Sequence, residues 1–541
     1  MPELTIQAHD REEQFTFIPG HSLKELLEKT SFRVKARCNG NGSCGLCRVK
    51  IDSGFVNEPT GNERVYLDAD LLGQGLRLAC QVYPEEDIRI QVVNLESGYQ
   101  WKDLLQDESR QLLNPFAGTA REVPVQTHGA LGLAVDLGTT HLKFSLCDLE
   151  GNQRLAVRSC RNPQLFLGGD VITRLAAAAS SPEMAKTLQS LISGAIGEAA
   201  REITAEMGAG PRQIVRVSLV GNTAMLSLLT GINFSLLMHP SHWTEEIHCI
   251  PSNTSDYAAA WNLHPCAEIE IIPPLGGFIG SDLLAGLIAV SFLDSEPGSL
   301  FIDFGTNTEI ALWDGKTLSV TSAAGGPAFE GSGIQCGMPA EEGAIHSVEI
   351  APDTGEITFK VLMNTPPTGI CGSGFIDLVA CMLRDGKLTD RGSLEPGIAR
   401  QGFILAEGPQ VISVNKHDID LFQRAKGAVM AGIKVLLETS GMDGRELKHI
   451  FVGGTFGSFL KVKNAQEIGL LPLIPAEHIR LSGNTALTGC EHLMLFKESG
   501  ITINELRIRS VLVNLANSPS FSEFYFESLF LKPVALGICN Q

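Results

Sequence analysis

No stretch of the 541-residue sequence stays apolar for long enough to cross a bilayer, since a spanning helix needs about 20 such residues. The opening MPELTIQAHD lacks the basic, apolar and small-residue succession of a secretory leader. Basic side chains are in short supply: 42 Lys and Arg face 61 Asp and Glu, a formal net charge of −19. Such a field repels phosphate backbones and anionic lipid, and argues against a general nucleic-acid or membrane-surface binder. A disulfide scaffold is missing too, because the 13 Cys are odd in number and spread along the chain. The expected compartment is therefore the reducing cytoplasm, where clustered cysteines point to metal. What is present is an ordinary globular composition, 44% hydrophobic and 19% charged, over a length that suggests roughly three to four domains.

Four of the cysteines form a pattern. Cys38, Cys44 and Cys47 lie in CNGNGSCGLC, and Cys80 follows after 32 intervening residues in LRLACQV. Three thiolates on a Gly/Asn-rich loop and a fourth on a distant strand suit a 2Fe–2S cluster: small residues let the loop wrap the cluster and turn N–H groups toward its sulfurs. Zinc also accepts four thiolates, although zinc ribbons use two paired knuckles and this segment has a triple and a single. Around the cysteines the pattern predicts a hairpin from 4–7 and 15–18, an amphipathic helix over 21–29 with Leu23, Leu26 and Leu27 on one side, and strands at 47–51 and 88–93. Together these residues resemble the β-grasp ferredoxins of plant, adrenodoxin and putidaredoxin type, and the five-residue first spacing matches the adrenodoxin side. The other nine of the 13 cysteines read as small buried hydrophobes.

The second organising pattern is AVDLGTTHLKFSLC, Ala134 to Cys147, which reads as strand, tight turn, strand. Backbone N–H groups and Thr hydroxyls in the turn can face an anion while Asp136 holds Mg²⁺ directly or through water. An ordinary glycine hairpin has the same look, but LFIDFGTNTEIALW, Leu300 to Trp313, repeats the arrangement far downstream. That spacing is duplication of a half, not a short-period array. HIFVGGTFGSFL, His449 to Leu460, adds a third Gly-rich turn after an apolar strand. The series resembles the nucleotide site shared by actin, hexokinase, the large heat-shock chaperone ATPases and acetate kinase, in which ATP lies between two similar halves. The resemblance makes 134–147 and 301–313 the phosphate loops and 449–457 the adenosine turn. It assigns Asp136 and Asp303 to Mg²⁺ and water, Gly138, Thr139, Thr140, Gly305, Thr306 and Asn307 to phosphates, and Gly453, Gly454 and Thr455 to the adenosine side.

Other segments are less specific. Residues 94–128 read as a polar connector in which WKDLLQDESRQLL forms a helix. Asp170 and Arg174 stand one helical turn apart, as a surface pair would. Long helices are expected over 182–206 and 419–440, the latter with Phe422, Ala425, Val429, Ile433 and Leu436 on its core face. IVRVSLVGNT is a buried strand that delivers Asn222 and Thr223 to a strand end, where ligand groups gather in α/β folds. Gly325 and Gly326 make a turn suited to closing over nucleotide, with Glu330 either orienting water or metal or capping a helix. GICGSGFIDL places Cys371 and Ser373 in a Gly turn opening a helix, exposed at a functional surface or merely small in a crowded bend. After residue 500, short strands and the aromatic cluster SFSEFYFESLF are expected.

The implied fold is an α+β β-grasp 2Fe–2S ferredoxin domain followed by a duplicated α/β ATPase of the RNase H-like, actin, heat-shock-chaperone and sugar-kinase superfamily. Its divisions are a ferredoxin-like domain at 1–93, a linker at 94–128, a first ATPase subdomain at 129–210 and a C-terminal ATPase domain at 211–541. This order, with AVDLGTT, NPQ and GGDVI, VGNTAM, FIDFGTNTEI, QCGMPAEEGAI, GICGSGFID and NAQEIGLLP, resembles the reductive activators of corrinoid proteins of methyltransferase and O-demethylase systems. Gly-Gly-Thr-Phe-Gly at 453–457 departs from the Ala-Gly-Ala-Phe-Gly more usual there, but keeps a small residue at Thr455. The resemblance implies ATP-dependent one-electron reduction of an inactive Co(II) corrinoid protein to Co(I), with the electron passing through the cluster. Plant-type clusters lie near about −400 mV and the corrinoid couple is usually lower, so ATP supplies the difference. It also implies an upstream low-potential electron donor and a homodimer, and an exposed hydroxyl in the Gly turn would set Ser373 near the corrinoid. Against this stand a different low-potential acceptor, such as a 2-hydroxyacyl-CoA dehydratase; an ATP-binding sensor or scaffold; and a small-molecule kinase.

Overall fold

The computed structural model describes the whole chain except residues 1, 9–10, 28–29, 31, 33, 35–41, 43–44, 46, 94–101, 104–128, 326, 332, 352–355, 400–401, 408–410, 455–458, 497 and 538–541. It divides into two compact units. The first comprises Met1–Lys102, Thr139–His141 and Cys160–Ile192; the second comprises Asp103–Gly138, Leu142–Ser159 and Ser193–Gln541.

In the first unit a five-stranded sheet runs in the order Arg11–Thr16, Glu3–Ala8, Ile88–Val92, Arg48–Ser53, Leu76–Leu78. Alternation drives it: Leu4, Ile6, Val49, Ile88, Ile90 and Val92 all turn to one buried face. Glu3–Ala8 is antiparallel to Arg11–Thr16 and parallel to Ile88–Val92. Helix Leu23–Leu27 lays Leu23, Leu26 and Leu27 on that face, so the expected helix forms around its three leucines. This is the β-grasp arrangement. Of the expected connector helix, only Lys102–Asp103 is described, as a short strand.

The second unit carries the duplication. One six-stranded sheet has the order Glu268–Ile271, Ile214–Gly221, Leu131–Leu137, His141–Asp148, Gln153–Arg161 and, at its edge, Lys102–Asp103. The other runs Ile479–Gly483, His449–Gly453, Ser299–Phe304, Thr308–Trp313, Leu318–Ala323, Ser510–Leu512. In each, an antiparallel hairpin is flanked on its first strand by a parallel neighbour. Parallel pairing needs a long crossover, and helix Pro182–Glu206 supplies it between Leu131–Leu137 and Ile214–Gly221. The first sheet therefore extends past residue 210, a correction to the boundary expected at 210/211.

Helix Lys416–Ser440 opens with a capping box between Asn415 and Asp418 and closes on Gly441 at φ 65°. Its Phe422, Ala425, Val429, Ile433 and Leu436 are buried, as their spacing predicts. After residue 500 a short strand, Ser510–Leu512, is present, and the aromatic cluster SFSEFYFESLF forms helix Phe521–Glu527. Phe521, Phe524 and Tyr525 recur at helical spacing and pack on the core containing the 416–440 helix, with Lys434 Nζ 5.4 Å from the Phe524 ring. That packing outweighs the strand preference of aromatic residues. Among the described residues, no helix is long and apolar enough to cross a membrane.

Candidate functional site

Two of the four patterned cysteines are described. Strand pairing sets Arg48 opposite Leu78, and Ala79 N–H donates to the Cys47 carbonyl at 2.7 Å, so Cys47 and Cys80 arrive side by side at one end of the sheet. Both are buried, each 1% exposed. The Gln81 amide Nε2 lies 3.7 Å from Cys80 Sγ. Two buried thiols carried on neighbouring stretches of backbone, one with an N–H donor toward its sulfur, fit an iron–sulfur cluster. Cys38 and Cys44 lie outside the described residues.

In the second unit, Asp136 stands near the end of Leu131–Leu137, opposite Lys143 and beside Val220. Asp303 stands near the end of Ser299–Phe304, opposite Glu309 and beside Gly453. Asp282 joins them from the first turn of helix Ser281–Ala289, where its Oδ1 accepts from Leu283 N–H at 3.0 Å. Gly280 makes that approach possible, since a Cβ there would lie 2.3 Å from the Gly221 carbonyl oxygen. Burial pushes the Asp303 carboxyl up to about 7, with the Asp136 charge adding and Lys143 opposing. Asp282 rises to about 7 through burial and the charges of Asp136 and Asp303. Glu309 is held well above the usual carboxylate range by burial, then Asp282 and Asp303. Asp136 is raised by burial against the pull of Lys143. These four carboxyls cannot all ionise cheaply together, although among the described residues no group of three or more His, Cys, Asp or Glu is placed to hold a metal ion as it stands.

The remaining candidates divide by what they touch. Gly138, Thr139 and Thr140 make the first hairpin's bend, and Gly305, Thr306 and Asn307 the second, where Gly305 N–H donates to the Asn307 carbonyl at 3.0 Å. The Thr306 hydroxyl donates to Glu330 Oε2 at 2.7 Å, so Glu330 reaches the second hairpin's bend. Gly453 and Gly454 lie against that loop: a Cβ on Gly454 would stand 2.9 Å from Asp303 Oδ1. Gly325 is buried against Thr308 and Phe329. Gly326 and Thr455 lie outside the described residues. Asn222 caps helix Thr223–Thr230 by accepting from Met225 N–H at 3.0 Å, and the buried Thr223 hydroxyl donates to the Gly276 carbonyl at 2.6 Å. Both side chains thus hold the strand-to-helix turn.

Two expectations are corrected. Ser373 is 3% exposed and its hydroxyl donates to the His346 carbonyl at 3.0 Å, because the Gly turn packs against strand Ala344–Ile350; it presents no hydroxyl to a surface. Arg174 is no surface partner of Asp170. Asp170 caps helix Val171–Ser180, accepting from Thr173, while the fully buried Arg174 donates from Nε to the Gly168 carbonyl at 2.7 Å and from Nη2 to the Thr139 carbonyl at 2.6 Å. It thereby fixes the backbone of the first hairpin's bend. Arg174→Met is expected to lower stability by about 2–4 kcal/mol, from stranded carbonyls and a lost buried network, and to raise the KM for ATP more than it lowers kcat. Urea denaturation and an ATP titration check this, and an unchanged KM would contradict it.

Asp282 and Glu309 were not singled out in the sequence. The available signals were an acid opening an apolar helix after GGFIGS and a carboxylate on the otherwise apolar strand TEIALW.

Three family models match along the chain: the 2Fe-2S iron-sulfur cluster binding domain at residues 6–85, the RACo middle region at 131–295, and the C-terminal domain of RACo, the ASKHA domain, at 298–538. The corrinoid activation enzyme RamQ of Eubacterium limosum is 31% identical over 419 residues, 73% of this chain and 69% of that protein. The chain belongs to the RACo family of reductive activators. A second relative is the [Co(II) methylated amine-specific corrinoid protein] reductase of Methanosarcina barkeri. It is 28% identical over 429 residues, 73% of this RACo-family chain and 76% of its own. A solved reductive activator for corrinoid, iron–sulfur protein shares the fold, with a TM-score of 0.67 at 23% identity over 98% of this chain and 99% of that one. The matched models bring an iron–sulfur cluster to the N-terminal domain and nucleotide binding to the C-terminal one.

Proposed function

We propose that this protein couples ATP hydrolysis to one-electron reduction of a corrinoid protein, returning inactive Co(II) to Co(I). The observation that carries the proposal is a buried cysteine pair on a ferredoxin sheet in the same chain as a four-carboxylate site between duplicated hairpins. An electron carrier alone has no need of the second, and a kinase no need of the first. The names of the two curated relatives support the corrinoid acceptor.

Cys38, Cys44, Cys47 and Cys80 are the residues to hold a 2Fe–2S cluster, which when bound supplies a one-electron carrier of low potential. In the ATPase, Asp136, Asp282, Asp303 and Glu309 are the carboxylates available to Mg²⁺ and to the attacking water, and the two hairpin turns supply N–H and hydroxyl donors to phosphates. Hydrolysis, giving ADP and phosphate, changes what Asp303 and Thr306 contact. Because Thr306 is already tied to Glu330, the loop has a defined alternative partner when phosphate leaves. Binding energy differing between two such arrangements is what can shift the protein between partner-binding states. The reading includes an upstream low-potential donor, a homodimer and a cytoplasmic setting.

Mg²⁺ dependence has a pH signature. Carboxyls whose folded values lie above the ordinary 3.8, as at Asp282 and Asp303, bind protons more tightly in the folded state. Stability from them is therefore greatest in acid and falls as pH rises from about 4 through 7. A divalent cation reverses this, so the rise in Tm on adding Mg²⁺ is expected to be several-fold larger at pH 8 than at pH 5.5. Equal shifts at both pH values would argue against these carboxylates as its ligands.

The function itself is tested anaerobically by mixing reduced, cluster-loaded protein with a Co(II) corrinoid protein and following the visible spectrum. A Co(I) band that grows only with Mg-ATP is the expected result. ATP hydrolysis with a sound cluster but no reduction would redirect the search to another acceptor, and absence of hydrolysis would favour the sensor reading.

A further inference from the structure

Outside the acidic site, a buried polar network in the described residues ends on a cluster cysteine. The Glu63 carboxylate, fully buried, accepts from Arg77 Nε at 2.8 Å and Nη2 at 2.9 Å, and from the N–H groups of Leu78 at 3.0 Å and Thr60 at 2.8 Å. Glu63 N–H in turn donates to Thr60 Oγ1 at 3.3 Å. The Thr60 hydroxyl donates to Gln81 Oε1, 3.2 Å away. That contact holds the oxygen end of the Gln81 amide toward Thr60. Its Nε2 end is left toward Cys80, 3.2 Å from the carbonyl oxygen and 3.7 Å from Sγ. The Gln81 carbonyl is pinned as well, accepting from Asn57 Nδ2 at 2.9 Å.

We infer that Gln81 is a positioning residue that sets the reduction potential of the cluster held by Cys80. Its amide N–H on the cysteine sulfur favours the more negative, reduced state, and Thr60 and Glu63 keep that amide from flipping. The inference rests on the cluster reading of Cys38, Cys44, Cys47 and Cys80. Hydrogen bonds to cluster sulfurs and to the atoms behind metal ligands shift potentials in this direction. The consequence for a reductive activator is a compromise: the bond makes the cluster easier to fill from an upstream donor and a weaker reductant toward cobalt.

The test is spectroelectrochemical titration of the full-length protein and its variants, with iron content and visible spectrum recorded first. Gln81→Leu keeps the bulk but removes the donor. It is expected to lower the ratio of reduced to oxidised protein three- to tenfold at a fixed ambient potential, about 30–60 mV for a one-electron couple. Gln81→Glu, which presents a carboxylate instead, is expected to shift further the same way. Thr60→Val leaves Gln81 in place but frees its amide, and is expected to give a smaller shift of the same sign. A wild-type protein without iron or a visible spectrum would overturn the cluster reading itself. An iron-loaded Gln81→Leu or, if that variant fails to fold, Thr60→Val with the wild-type potential would overturn the role of Gln81, since a merely structural residue would lower iron content and leave the potential of the loaded fraction unmoved.

Discussion

Replacing Asp303 by Asn is expected to slow ATP hydrolysis by roughly 10²–10³-fold, the range seen when one preorganised electrostatic group is removed from a reacting centre. The same change is expected to raise the stability of the Mg²⁺-free protein by about 1–3 kcal/mol at pH 8. The two effects come from one cause. Asp303 is buried and feels the charge of Asp136, which together push its carboxyl up to about 7. At pH 8 it is ionised at a cost to the fold, and Asn keeps its shape without the charge. The gain should shrink toward pH 5, where Asp303 already carries a proton, and vanish when Mg²⁺ is present. Phosphate release and thermal melts in EDTA measure both. A stabilised but inactive variant places strain at a working site; a variant that loses stability along with activity would show that Asp303 is structural.

Much of this site could be read from local sequence, and the reason is geometric. Asp136 and Asp303 each sit at a strand end before a Gly-Thr turn, a feature that needs only neighbouring residues to recognise. Asp282 and Glu309 depend on packing that no short window contains. Asp282 counts because helix Ser281–Ala289 starts against Gly221, and Glu309 because its strand pairs with that of Asp303. Arg174 misled for the opposite reason. Its spacing from Asp170 made a plausible exposed pair, but a distant carbonyl, that of Thr139, claimed the guanidinium and took it into the interior. Ser373 was read from the glycines around it, whereas the strand Ala344–Ile350 that covers it comes from elsewhere in the chain. The two long helices and the ferredoxin strands expected at 4–7, 47–51 and 88–93 were legible because their periodicity records burial directly. The second hairpin strand, expected at 15–18, instead forms at Arg11–Thr16.

Arg77→Leu is expected to cost about 3–5 kcal/mol and to release iron from the N-terminal domain, because it leaves a buried carboxylate without its cation. Glu63 is 0% exposed and Arg77 4% exposed, so water cannot replace the lost partner. The double change Glu63→Leu with Arg77→Leu should cost less than Arg77→Leu alone, since it removes the stranded charge as well. Acid provides an independent check. Burial alone would raise the Glu63 carboxyl, but the bonds from Arg77, Thr60 and Leu78 bring it below its ordinary 4.5. Stability from this pair is present above 4.5 and is lost as pH falls through the lower folded value. The carboxyls of the ATPase respond the other way, gaining stability as pH drops from 7 toward 4. Of the four Trp, Trp243, Trp261 and Trp313 belong to the second unit and Trp101 to the first. In a Trp101→Phe background, Trp fluorescence therefore follows the second unit and the visible chromophore the first during acid titration. The wild-type chromophore should be lost first, with fluorescence holding to lower pH. Glu63→Gln should remove the carboxylate's share of that acid sensitivity, so its chromophore loss depends less steeply on pH. If both probes change together in wild type and variant alike, the Glu63–Arg77 pair is not what holds the cluster end of the sheet.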